Sequence, residues 1–113
     1  MNISIGKEEE IYLIEIEGDL DASSCINLDK AISEAVSAGE KKILIDCTNL
    51  NYISSAGLGV FMSYIQDFEN NKISMVLFNL SKKVKNVFQI LGLDELIQIV
   101  DSKEAAKTLI NEA

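Results

Sequence analysis

Two serines stand directly before a pair of glycines in "YISSAGLGVF", residues 52–61. From Ser55 onward Leu58, Phe61, Met62, Ile65 and Phe68 keep a three-four spacing, which predicts a helix starting at the serines. A serine there has two uses. Its oxygen can cap the helix by accepting a free backbone N–H, and either Ser54 or Ser55 suits that position. Alternatively, because a helix N-terminus favours negative charge, a serine hydroxyl there is a good place for a phosphate. A phosphoserine adds about −1.5 to −2 charges at neutral pH and disrupts a protein contact through repulsion and desolvation. The glycines point beyond capping. If helical, Gly57 and Gly59 each cost about 0.8 to 1 kcal/mol relative to alanine, and no turn demands both. Missing side chains would let another backbone or an anion approach. Phe61 is expected in the core and Leu58 exposed or half-exposed.

Carboxylates offer a second chemistry. Asp19 and Asp21 follow one strand-like run and Asp46 ends another, imitating the acidic cluster of a magnesium-dependent phosphoryl acceptor. That receiver-like reading also needs a lysine closing a later strand, where this chain has "VLFNL" and "IVDS". Bland roles compete: Asp21 can cap the helix starting near Ser23, and Asp46 can hold a turn by accepting backbone N–H groups. A turn role is favoured for Asp46 and partner contact for Asp21. Hydrolysis by an activated serine lacks its base, since the chain contains no histidine.

These side chains must be positioned by a single domain. The 113 residues are 48% apolar, enough for one core, and no linker or repeat divides them. The net charge of −8 argues against nucleic acid, and Lys82, Lys83 and Lys85 read as a solvated helix face. Cys25 and Cys47 stand alone, which fits a reduced, cytoplasmic protein without a zinc cluster. No leader or run of 18 apolar residues predicts export or membrane insertion. Strands are expected at 11–18, 41–47, 72–78 and 96–100, with "NISI" as an added edge. Residues 43–45 and 75–78 are apolar enough for strands buried on both faces. Helices are expected from Ser24 to a stop at Gly39, from Ser55, from Ser81 to Gly92, and from about Ser102. This alternation predicts an α/β sandwich with a mainly parallel sheet. Its ligands or partners would meet the loops at the strands' carboxyl ends, "GDLDASS" and "DCTNLNYISSAGLG".

Those two loops resemble the marked segments of the STAS domain family, the anti-sigma factor antagonists. In that family a strand-ending aspartate precedes a small hydroxyl residue, an apolar position, an aromatic and then a serine leading into Gly-Leu-Gly. The resemblance implies an α/β fold: one STAS domain over residues 1–113, with a mixed, mostly parallel sheet of four to five strands and about four helices. It implies a binding module with no catalysis and no cofactor. Unphosphorylated, such a domain binds an anti-sigma factor with serine kinase activity and so releases a sigma factor; the kinase then phosphorylates the domain and breaks the complex, and a serine phosphatase restores it. No nucleic acid or membrane partner is implied. The phosphoacceptor falls on Ser55. The docking surface falls on Asp21, Ser54, Ala56, Gly57, Leu58 and Gly59, with Asp46 and Thr48 structuring the loop. Two positions depart from the pattern: Ser54 stands where aspartate is frequent, and Ala56 where serine or threonine is. A STAS scaffold of another pathway, without serine phosphorylation, is the alternative.

Overall fold

Three consecutive isoleucine and leucine side chains, Ile43, Leu44 and Ile45, are all fully buried, yet they point into two different cores. Successive strand residues face opposite ways, so this run must lie mid-sheet with helices on both sides. The computed structural model, which describes residues 1–112, bears this out. Its elements are β1 (Asn2–Glu8), β2 (Ile11–Leu20), α1 (Cys25–Ser37), β3 (Lys42–Ile53), α2 (Ser55–Asn71), β4 (Ser74–Phe78), α3 (Lys82–Ile90), a 3-10 turn (Leu93–Glu95), β5 (Gln98–Val100) and α4 (Lys103–Asn111).

The sheet order is β1-β2-β3-β4-β5, with β1 antiparallel to β2 and the other pairs parallel. Each parallel strand is laid beside the last, so crossovers of one hand carry α1, α2 and α3 to the same face. There Leu28, Ile32, Phe61, Val84 and Phe88 pack on Ile14, Ile16, Ile45 and Leu77. The other face is covered by α4, whose Ala106 and Ile110 join Ile11, Leu44, Val76 and Phe78. Helix α1 ends before Gly39, which takes a left-handed φ of 82°.

Both long strands run further than the sequence suggests. The segment expected as a loop after Cys47 is strand as far as Ile53, and β2 continues through Asp19 to Leu20. The cause is a pair of bulges. Between the pairs Glu15↔Asp46 and Glu17↔Asn49, β3 advances three residues while β2 advances two, and between Gly18↔Leu50 and Asp19↔Tyr52 β3 advances two while β2 advances one. Each extra residue shifts the pleat, so the inward positions become Cys47, Leu50 and Ile53. That period of three hides the strand.

Candidate functional site

The carboxyl ends of β2 and β3 are joined before any helix begins: the Ser54 N–H donates to the Leu20 carbonyl at 2.8 Å. This bond brings the two expected loops together. Ser54 is the N-cap of α2, with extended backbone, and its Oγ accepts the Gly57 N–H at 3.2 Å. Of the two serines that suit the cap, Ser54 therefore takes it and Ser55 does not. Ser55 is the first helical residue and exposed, so its hydroxyl is presented at the end where backbone N–H groups have no intrahelical acceptor. No acidic side chain occupies this first turn.

Gly57 and Leu58 face inward, which corrects their assignment to the docking surface. Leu58 is 6% exposed and belongs to the main core. A Cβ on Gly57 would stand 2.7 Å from Leu20 Cγ, 2.9 Å from Leu20 Cδ2 and 3.1 Å from Ile53 Cγ1. The glycine admits the side chains of β2 and β3 beneath the helix, leaving no opening for a partner's backbone there. Gly59 differs: it is exposed, and a Cβ there would meet nothing within 4 Å. Ser55, Ala56 and Gly59 make the outward surface of the first turns, with Ser54 half-buried beside them.

Asp21 braces the neighbouring turn. Its Oδ1 accepts the backbone N–H groups of Ser23 and Ser24 at 2.9 and 3.0 Å, and the Ser23 hydroxyl at 2.7 Å. The Ser23 hydroxyl foremost, then the Ser24 backbone, pull the Asp21 carboxyl down to about 2. Its second oxygen takes no part in these bonds. Ser24, which begins α1, does not cap it; it is buried, accepts the Asp21 N–H at 2.9 Å and donates to the Asp19 carbonyl at 2.9 Å. Farther along, α1 and α2 are tied by Tyr64, whose hydroxyl donates to Asp29 Oδ1 at 2.7 Å. Burial and then that bond push the phenol up to about 12.

Asp46 lies within β3 at its first bulge and does not end the strand. Its Oδ1 accepts the Thr48 N–H at 3.0 Å and the Thr48 hydroxyl at 2.6 Å. The Asn79 amide donates to Thr48 Oγ1 at 3.1 Å, reaching across from the end of β4. Asn79 was not foreseen. Its left-handed φ of 58° suits the tolerance of asparagine for that region, and its place between a strand and the Ser81 cap of α3 was the available signal. Tyr52 also lies here, exposed, in register with Asp19. Among the described residues no ion pair reaches Asp19, Asp21 or Asp46, and they form no group able to hold a metal.

Fold and site together define an open α/β domain whose accessible hydroxyl and unpaired carboxylates gather at the ends of β2 and β3. A sequence profile of the STAS domain matches residues 2–106, and the chain belongs to the STAS domain family. The anti-sigma-B factor antagonist of Staphylococcus aureus is 23% identical over 104 residues, covering 92% of this chain and 96% of its own. A Thermotoga maritima crystal structure matches with a TM-score of 0.90 at 17% identity, over 96% of this chain and 94% of its own. The anti-sigma factor antagonist SpoIIAA matches in its unphosphorylated form with a TM-score of 0.73 at 21% identity, over 98% and 96% of the two chains. Its phosphorylated form, from Bacillus, matches at 0.72 and 23%, over 96% and 99%. No helix among the described residues is long and apolar enough to cross a membrane.

Proposed function

We propose that this domain is an anti-sigma factor antagonist, a non-catalytic cytoplasmic module that binds an anti-sigma factor and so frees a sigma factor for transcription, and that phosphorylation of Ser55 breaks the contact. The observation that carries this reading is the placement of Ser55: exposed, first in a helix of 17 residues, and tied through Ser54 to the end of β2. The relatives named above are anti-sigma factor antagonists, and SpoIIAA exists in both phosphorylation states. The docking surface comprises Ser55, Ala56 and Gly59, the edge of Ser54, and the free oxygen of Asp21; Asp46 and Thr48 hold β3 behind it.

Phosphate on Ser55 would sit against the free N–H groups of the first turn and need no refolding. It would place a dianion inside a desolvated contact, with Asp19 and Asp21 already unpaired nearby. A coupling of this kind is typically about 1 to 3 kcal/mol, roughly 5- to 150-fold in affinity. The partner on this reading is an anti-sigma factor with serine kinase activity, and a serine phosphatase reverses the mark. Ser54 is a poor acceptor because its oxygen is engaged in the cap.

The test is peptide mapping of the protein from its own cells, before and after hydroxylamine. A stable phosphate on Ser55 supports the switch. A labile aspartyl phosphate supports a receiver-like domain, and no phosphate under any growth condition supports a scaffold. In the same cells Ser55→Asp should release the partner, and Ser55→Ala should retain it while resisting the kinase.

A further inference from the structure

The two edges of the sheet are unequal. One edge is β5, with only three residues in register against β4. The other is β1, whose seven residues pair with β2 without a bulge, from Asn2↔Glu17 to Glu8↔Ile11. Among the described residues no strand lies beside its outer row of backbone N–H and C=O groups. Natural edges of this length are usually blunted by proline, a bulge, an inward charge or free lysines. The chain has no proline, and β1 has no bulge.

The charges on β1 are engaged within the chain. Lys7 pairs with Glu40 at 2.9 Å, and Glu8 pairs with Lys103 at 2.9 Å and with Lys107. The rest of the strand, Asn2, Ile3, Ser4, Ile5 and Gly6, is uncharged. Ile5 is 49% exposed, and a side chain on Gly6 would meet nothing within 4 Å. An uncharged, regular edge with an exposed isoleucine at its centre fits one class of partner best, a strand that is equally uncharged and carries its own central isoleucine.

We propose that β1 pairs antiparallel with β1 of a second copy of this chain about a two-fold axis at Ile5, joining the two sheets into one. Ile5 then faces Ile5 of the second copy, Ser4 faces Gly6, and Ile3 packs beside the aliphatic stem of Lys7, whose ammonium stays with Glu40. Apolar cross-strand pairs support such a join, while like charges directly opposite weaken it. This does not rest on the proposed switch, whose residues lie at the carboxyl ends of the parallel strands.

Sedimentation equilibrium of the full chain, from micromolar to millimolar, tests it. The expected result is a monomer–dimer equilibrium that tightens with salt, because each copy carries a net charge of −8 and salt screens the repulsion. Ile5→Lys makes the chain less acidic, so bulk charge alone would strengthen association; strand pairing predicts weakening of roughly tenfold or more. As a second reading, Ile5→Cys in a Cys25→Ser background should form a disulfide-linked dimer under mild oxidation faster than Ile90→Cys, which changes a residue 83% exposed. A monomer at every concentration, a dimer that Ile5→Lys leaves unchanged, or equal cross-linking of the two cysteine variants overturns the proposal.

Discussion

Replacing Gly57 and Gly59 by alanine should change stability in opposite directions. Both glycines lie in α2, where alanine is favoured by about 0.8 to 1 kcal/mol through backbone entropy alone. At Gly59 that gain stands unopposed, since the new methyl meets nothing within 4 Å. At Gly57 the methyl would stand 2.7 Å from Leu20 Cγ, a branch point, and 3.1 Å from Ile53 Cγ1. Leu20 is fully buried and Ile53 is 5% exposed, so neither can swing into water. Overpacking of this kind costs about 1 to 3 kcal/mol. Set against the helix gain, Gly57→Ala should lose about 1 kcal/mol net, within a range of roughly 0 to 2. A domain of this size shifts by about 4 °C per kcal/mol. The two variants should therefore differ by about 8 °C, with Gly59→Ala above the parent and Gly57→Ala below it. Thermal unfolding followed by circular dichroism, with urea unfolding as the check, measures this. A Gly57→Ala protein melting at or above the parent would refute the packing role and reopen that glycine as a docking position. If the more stable Gly59→Ala also loses its partner, contact rather than folding explains that glycine.

Three further outcomes follow from the same geometry. Ser54→Ala removes the α2 cap and should lower stability by about 1 kcal/mol, while Ser55→Ala should leave it within a few tenths; equal effects in urea unfolding would mean that the cap is misassigned. The Asp21 carboxyl is held at about 2 against an ordinary 3.8, so its contribution to stability is complete above 3.8 and fades as pH falls through that value towards 2. In an NMR titration Ser23→Ala should move the Asp21 midpoint upward, and an ordinary midpoint in the parent would sink the bracing role. Burial pushes the Cys47 thiol well above its usual value, so it should stay unreactive to a thiol reagent in the folded chain while half-buried Cys25 reacts; immediate labelling of both would place Cys47 outside the core.

What the sequence made legible follows the regularity of its periods. The helices announced themselves by serine starts, and α2, α3 and α4 are capped by the side chains of Ser54, Ser81 and Ser102. The buried run at Ile43 to Ile45 pointed correctly to a central parallel strand. The far half of β3 was illegible because its two bulges convert a period of two into a period of three, which matches neither a plain strand nor a helix. The role of Gly57 was hidden for a different reason. Its close contact is with Leu20, 37 positions earlier, and spacing along one helix carries no information about what another strand presses against it.

The same contact explains why adjacent serines can be specialised. Leu20 supplies two attachments at once: its carbonyl accepts the Ser54 N–H, and its side chain fills the space that Gly57 leaves open. Ser54 is thereby fixed at the end of β3 with its oxygen committed to the helix cap, and Ser55 is turned outward one step along α2. A residue that must be modified without unfolding its surroundings should have no structural bond to lose, and Ser55 meets that condition where Ser54 does not. Aspartate, frequent at the Ser54 position in the family pattern, is an equally good cap, so the departure preserves the local structure while removing a negative charge beside Ser55, the proposed acceptor. A kinase that reads that charge would discriminate against this domain, whereas a partner that reads only the outward face of α2 and the Asp21 turn would not.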